Sequence, residues 1–136
     1  MAAGYSGTPL PRKLGIKPGQ RVLLLRAPDG FEADTLGPLP EGVRVARRAS
    51  GTADVILAFH TRRAELARRM PGLRALMEPA AGLWVAWPKG RSGVETDLTE
   101  NVVRDVALQH ALVDNKVCAI DETWSGLRLV IRLRDR

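Results

Sequence analysis

The amino-acid sequence predicts an α/β protein with a mainly parallel sheet of about six strands and a C-terminal antiparallel hairpin. Two observations support this fold class. Several short segments are apolar at every position rather than at alternate positions, which is typical of strands covered on both faces. Helical patterns separate most of these segments, and strands that alternate with helices favour a parallel sheet with right-handed crossovers.

The predicted elements follow the order β-α-β-β-α-β-α-β-β. Strands are expected over residues 22–25, 43–46, 54–60, 83–87, 112–120 and 127–133, and helices over residues 29–36, 61–78 and 97–111. Asp29 and Thr61 are the expected N-caps of the first two helices. Pro71 lies inside the second helical pattern, so a kink or break is expected near Met70.

The first twenty residues differ from the rest of the chain. They contain four glycines and three prolines, which disfavour a long helix or strand. Tyr5, Leu10, Leu14 and Ile16 give this segment apolar anchors. We therefore expect residues 1–20 to pack against a single domain formed by residues 21–136.

Composition limits the class of protein. The 136 residues are 45% hydrophobic and 26% charged, as in ordinary soluble domains. No apolar segment approaches the ~18 residues needed to span a bilayer, and the N-terminus lacks the pattern of a secretory signal. The single cysteine, Cys118, excludes an internal disulfide framework. These features predict a cytoplasmic protein.

The net charge of +6 raises the question of nucleic-acid binding. Four of the 21 basic residues are lysines, so seventeen are arginines, and they are spread from Arg12 to Arg136 rather than gathered in one block. A diffuse positive charge is weak support for a nucleic-acid surface. Nucleic-acid binding is therefore kept as the third functional alternative.

Three stretches, residues 15–25, 54–59 and 78–85, resemble strands and turns of class I methyltransferases, and the closing hairpin is also in the expected place. The resemblance covers most of residues 15–133 and implies a reduced, Rossmann-like (methyltransferase-like) sheet. A second resemblance spans nearly the whole chain. The sequence is similar to a small bacterial family whose members are labelled only as a domain of unknown function, through residues 5–10, 13–17, 87–89, 92–100, 113–120 and 123–127.

The first turn departs from the methyltransferase pattern. That pattern calls for roughly Gly-x-Gly-x-Gly after the first strand, where backbone amides hold the cofactor. Here the turn is residues 26–30, in which Pro28 has no amide hydrogen and Ala27 has a side chain. An acid is expected at the end of the second strand to bind ribose hydroxyls, but Arg47 and Arg48 stand there. We therefore expect no cofactor and disfavour S-adenosylmethionine (SAM).

The link between Val45 and Val55 is also unusual, because its roughly eight residues are too few for a helical crossover. The two longer helices then lie on the same face of the sheet. An apolar sheet face cannot be left bare, so either residues 1–16 or a second subunit covers the other face. The main functional hypothesis is a non-catalytic domain that acts in protein interaction or homodimerisation.

The second functional hypothesis is an enzyme or sensor that binds a small anionic ligand or nucleotide at the carboxyl ends of the strands, where open α/β sheets bind ligands. His60 is the candidate acid–base group, and Asp29 could pair with it. Alternatively, both residues cap helices. The candidate ligand-binding residues are Arg47, Arg48, Lys89, Arg91 and Trp124.

Other chemistry finds little support in the sequence. His60, His110 and Cys118 show no metal-binding spacing, so no metal site is predicted. Cys118 lies inside a predicted strand and reads as a structural thiol rather than a nucleophile. Trp124 lies in the hairpin link, where a partly exposed aromatic side chain could contact a ligand or a partner protein.

Overall fold

The structure, a computed structural model, describes residues 7–136. The expected anchor Tyr5 lies outside this range. In chain order the principal elements are α1 (Leu10–Leu14), β1 (Arg21–Leu25), β2 (Arg44–Ala46), β3 (Ala53–Phe59), α2 (Arg63–Ala75), β4 (Met77–Pro88), α3 (Glu100–Leu108), β5 (Leu112–Ala119) and β6 (Trp124–Ile131).

The predicted fold class is confirmed. The six strands form one sheet in the order β2-β1-β3-β4-β6-β5. The first four are parallel to one another, whereas β6 pairs antiparallel with both β4 and β5. The connection from β2 to β3 contains no helix, as its length predicts.

Strand β1 lies between β2 and β3 because its side chains are apolar on both faces. Val22 to Leu25 are all buried, so the strand fits a position covered on both sides. Val22 pairs with Val45 on one side and with Val55 on the other. At its start, the amide of Arg21 donates to the Asp54 carboxylate at 2.9 Å, which ties β1 to β3 by a side chain.

The segment after β1 differs from the prediction. Instead of a helix over residues 29–36, it forms one π-type turn over Glu32–Leu36. This turn has no side-chain cap, so Asp29 does not act as its N-cap. Gly37 follows with a φ of 72°, a conformation that favours glycine and stops the turn from continuing as a helix.

Helix α2 is capped by a residue other than the one expected. Thr61 does not cap α2. Instead, the Arg63 amide donates at 2.7 Å to the Asp97 carboxylate, far along the chain. Thr99 caps α3 by accepting from the amide of Val102 at 3.2 Å. Pro71 lies inside one continuous helix, so α2 is not split. Within residues 7–136, no helix is both long enough and apolar enough to cross a bilayer.

The two faces of the sheet are covered by different structures. Helices α2 and α3 pack on one face. On the other, the N-terminal segment and the π-type turn contribute Leu10, Leu14, Ile16, Phe31 and Leu36. They pack on Trp84 and its neighbours, and the Trp84 indole N–H donates to the Leu14 carbonyl oxygen at 3.0 Å. The chain's own N-terminal segment, which includes the short helix α1, therefore covers the face that lacks the two longer helices, called the helix-free face below.

This cover makes Leu14 a test of the fold. Leu14 is only 1% exposed, so Leu14→Ala removes buried methyl groups and leaves a cavity. We expect the free energy of unfolding to fall by about 2–5 kcal/mol. Leu133, which is 80% exposed, provides the control, and Leu133→Ala should change it by less than ~0.5 kcal/mol. Guanidinium denaturation measures both variants, and equal midpoints would show that the segment does not support the sheet.

Candidate functional site

The turn after β1 has an unusual backbone conformation at two of its residues. Arg26 and Gly30, the first and last residues of this turn, have φ angles of 62° and 77°. A left-handed backbone at a non-glycine residue is uncommon and costs on the order of 1–3 kcal/mol, and such residues cluster at functional sites. The Arg26 guanidinium is held at 2.8 Å by the Glu65 carboxylate. The ion pair ties the side chain of this strained residue to α2.

A cleft of about 480 Å³ opens beside this turn. This volume lies within the range typical of small-molecule sites. The cleft lies at the carboxyl ends of β1 and β2. Open α/β sheets bind ligands beyond the carboxyl ends of their strands. It is lined by Leu24, Arg26, Ala27, Pro28, Asp29, Gly30, Phe31, Glu32, Ala33 and Arg47.

An ion pair between Glu32 and Arg47 forms one wall of the cleft. The Arg47 guanidinium donates two hydrogen bonds to the Glu32 carboxylate, at 2.5 and 2.7 Å. These bonds lower the pKa of Glu32, and the same contact raises the pKa of Arg47. Glu32 is therefore an ionised acceptor at neutral pH, held beside the end of β2. A carboxylate therefore lies beside the end of β2, although it belongs to the segment after β1.

His60 lies at the end of β3 and is buried, with its side chain only 1% exposed. Its Nδ1 is 3.2 Å from the Glu65 carboxylate, the same carboxylate that pairs with Arg26. Burial lowers the pKa of His60, although the bond to Glu65 acts in the opposite direction. We therefore assign a neutral imidazole that donates from Nδ1, because a carboxylate can only accept. The His60 bond in turn lowers the pKa of Glu65.

The expected pairing of His60 with Asp29 is not formed. Glu65 takes that place because it lies in the first turn of α2, within reach of the end of β3. Asp29 is exposed and lines the cleft. Asp29 therefore lies at the predicted edge of the sheet, but the prediction that it pairs with His60 is wrong.

The five candidate ligand-binding residues do not all converge on the cleft. Arg47 lines it, whereas Arg48 is exposed just after it. The Lys89 amide donates at 2.8 Å to the Thr123 carbonyl oxygen, and Arg91 lies in an exposed short helical turn. The Trp124 ring packs edge-on against Phe59 with centroids 5.0 Å apart, so it anchors the hairpin to the sheet.

Sequence reasoning missed Glu32 and Glu65, the two carboxylates that organise the site. Both lie in the first turn of the helical segment after a strand, which is the one local signal that could have identified them. Among the described residues, no group of three or more His, Cys, Asp or Glu side chains could hold a metal ion. Cys118 packs against the helix-free face, and burial raises the pKa of its thiol.

The fold and the cleft define a methyltransferase-like domain. No protein-family model matches this chain, and no curated protein matches it. Among solved structures, the chain is similar to a SAM-dependent methyltransferase from Aquifex aeolicus, with 15% identity over 89% of this chain and 87% of that chain and a TM-score of 0.65. At this identity the likeness shows the fold alone.

Two further structures support the same class. A ribosomal protein L11 methylase from Lactobacillus delbrueckii subsp. bulgaricus has 12% identity, covers 90% of this chain and 75% of its own, and has a TM-score of 0.60. The magnesium protoporphyrin IX methyltransferase of Synechocystis PCC 6803, with bound SAM, has 10% identity, coverages of 90% and 74%, and a TM-score of 0.57. Membership of the bacterial family of unknown function stays a prediction.

The expectation of no cofactor is wrong. The structures that share this fold include ones with bound SAM and with bound S-adenosylhomocysteine (SAH), which counts against that expectation. The sequence argument failed because it counted glycines and looked for an acid only after β2. Arg26 adopts the left-handed backbone without being glycine, and Glu32 supplies a carboxylate from another segment. Pro28 still has no amide hydrogen to donate.

The buried His60 predicts a pH dependence of stability. Because its pKa is lowered in the folded protein, the unfolded chain binds more protons below the ordinary value of about 6.5. Its contribution to stability is full above about pH 6.5 and falls as the pH drops toward the lowered value, by at most about 1.4 kcal/mol per pH unit.

Urea denaturation at intervals between pH 7.5 and 5.5 measures this effect, with Glu65 ionised throughout. His60→Gln should flatten the profile relative to the wild type. Glu65→Gln removes the bond that raises the pKa of His60. In this variant the loss of stability should therefore extend to lower pH. Parallel profiles for His60→Gln and the wild type would contradict the assignment.

Proposed function

We propose that this chain binds SAM or SAH in the cleft beside the β1 turn, and that it acts through a partner protein rather than as a self-sufficient methyltransferase. The observation that carries the ligand proposal is the Glu32 carboxylate, held by Arg47 on the wall of a cleft at the carboxyl ends of β1 and β2. When bound, SAM would supply an electrophilic methyl group.

Glu32 retains capacity to bind a ligand. An ionised carboxylate has about four lone-pair sites, and the fork of Arg47 uses two of them. The remaining sites can accept hydrogen bonds from the two hydroxyls of a ribose. Because Arg47 holds the carboxylate in one orientation, Glu32 loses little freedom when a ligand binds. The pair therefore works as a prepared acceptor for the sugar of an adenosyl compound.

Arg26 provides a complementary group at the other end of the turn. It lines the cleft, and one of its donors binds Glu65 at 2.8 Å. A guanidinium has five N–H donors, so others stay available for a carboxylate. SAM and SAH each carry an amino-acid carboxylate. Arg26 and Glu32 together offer one cation and one anion in a single cleft, which matches a ligand with an acidic end and a hydroxyl-bearing sugar.

The buried position of His60 argues against a role of its side chain in proton transfer to a substrate. Its side chain is 1% exposed and its Nδ1 is engaged by Glu65, so it does not face a substrate. We propose that the ligand instead orders the rim of the cleft for a partner protein. The helix-free face, the expected site of a homodimer, is already filled by Leu10, Leu14 and Ile16. The exposed rim residues Asp29 and Ala33 are better placed for a contact.

Calorimetric titration with SAH and with SAM tests the ligand proposal. The wild-type chain should bind both at a single saturable site. Glu32→Gln keeps the size of the side chain but weakens its acceptors, and we expect the dissociation constant to rise about tenfold, as for loss of a charge-assisted hydrogen bond. Ala27→Leu should weaken binding by a separate route, because it narrows the cleft without changing any charge.

Glu41→Gln is the matched control, since it makes the same chemical change at an exposed residue that does not line the cleft. It should bind SAH as the wild type does. Absence of saturable binding by the folded wild-type chain, or equal losses in Glu32→Gln and Glu41→Gln, would overturn the proposal.

A further inference from the structure

A second pocket, of about 470 Å³, lies at the opposite edge of the sheet. It is formed where the parallel strands begin, because Gln20 immediately precedes β1 and Asp54 is at the start of β3. Four cationic side chains and one carboxylate line it: Lys13, Lys17, Lys116, Arg128 and Asp54. The cations come from the N-terminal segment, β5 and β6, so three separate parts of the chain converge there.

The position of Arg128 depends on a glycine. A Cβ at Gly82 would lie 2.5 Å from Nε of Arg128 and 2.9 Å from its central guanidinium carbon. Gly82 is not one of the described glycines with a positive φ, so its backbone conformation does not require glycine. The space it leaves lets the Arg128 guanidinium lie across β4. A partly buried cation is thus built into the surface of the sheet.

Three of these cations, Lys17, Lys116 and Arg128, differ from other arginines of the described chain in how they are paired. Arg26, Arg47, Arg62 and Arg104 each pair with a glutamate. Within residues 7–136, none of Lys17, Lys116 and Arg128 belongs to an ion pair. Lys116 and Arg128 donate long side-chain hydrogen bonds to neutral oxygens, at 3.4 and 3.3 Å respectively.

The electrostatic cost of this arrangement is concentrated on Arg128. Burial lowers the pKa of its guanidinium, and the positive charge of Arg136 adds to the effect. An arginine stays charged at neutral pH in spite of such a shift. A partly desolvated cation without a carboxylate partner is unfavourable, and an anion that enters the pocket would relieve it.

We propose that this pocket is a binding site for a compact polyanion, namely the di- or triphosphate group of a phosphorylated small molecule. Four converging cations suit a ligand with several negative charges in a small volume. The single carboxylate, Asp54, is engaged by the Arg21 amide at 2.9 Å, which reduces its repulsion of an anion. The amides of Gln20 and Asn115 add neutral donors to the lining. The site is separate from the β1 turn cleft and does not depend on the function proposed there.

Titration calorimetry with sodium tripolyphosphate, in buffer with 150 mM sodium chloride, tests the site. The wild-type chain should show one saturable site, with pyrophosphate weaker and inorganic phosphate weakest. We expect Arg128→Gln to raise the dissociation constant by at least about tenfold, as for loss of a charge-assisted hydrogen bond. Lys17→Ala changes an exposed side chain that does not endanger the fold, and it should also weaken binding.

Two controls separate a built site from general charge. Arg63→Gln removes the same charge from an exposed residue at the carboxyl edge and should leave the dissociation constant unchanged. Gly82→Ala keeps every charge but displaces the Arg128 guanidinium, so it should weaken binding nearly as much as Arg128→Gln does.

The proposal is overturned if Arg63→Gln weakens binding as much as Lys17→Ala, or if the wild type shows no saturation. It is equally overturned if SAH displaces tripolyphosphate by competition, because the anion would then occupy the turn cleft. Binding of an RNA or DNA oligonucleotide that survives Arg128→Gln, with tripolyphosphate unable to compete, would also reject it and indicate a diffuse basic surface.

Discussion

The structure depends on how the helix-free face of the sheet is covered. Strands β1, β3 and β4 are apolar on both faces, but both longer helices pack on one of them. The N-terminal segment helps to cover the other face with three apolar side chains, Leu10, Leu14 and Ile16. It also accepts one hydrogen bond, from the Trp84 indole to the Leu14 carbonyl oxygen. That bond satisfies a buried polar group that would otherwise cost on the order of 1–3 kcal/mol. The N-terminal segment and the π-type turn thus cover this face, where no long helix packs.

This thin cover leaves both edges of the sheet accessible. At the carboxyl edge, the π-type turn over Glu32–Leu36 is too short to close the cleft beside β1. At the amino edge, the end of α1 stops at Gly15, next to the pocket that contains Arg128. A longer helix in either place would fill the space. Both clefts therefore exist because the covering segments are short. They differ in charge because different side chains surround them.

The sequence predicted the elements whose cause is local. The continuous apolar segments at β1, β3 and β4 indicated buried parallel strands, and the short link before β3 excluded a crossover helix. It could not predict contacts between distant residues, such as the Asp97 cap on α2 or the pairing of Glu32 with Arg47. Of the candidate residues, Asp29 and Arg47 line the cleft. The Lys89 backbone and the Trp124 ring are held by other contacts, and Arg91 lies in an exposed turn, which residue type alone does not reveal.

The free-energy cost of backbone strain in the β1 turn is small compared with the free energy of binding a ligand. Replacing glycine with Arg26 in a left-handed conformation costs about 1–3 kcal/mol, whereas micromolar binding of a ligand corresponds to about 8 kcal/mol. The strain is also present in the folded chain before any ligand arrives, where the ion pair with Glu65 holds the side chain. It therefore lowers the stability of the fold rather than the affinity of the cleft. A residue other than glycine in such a turn is therefore weaker evidence against ligand binding than the absence of a cleft would be.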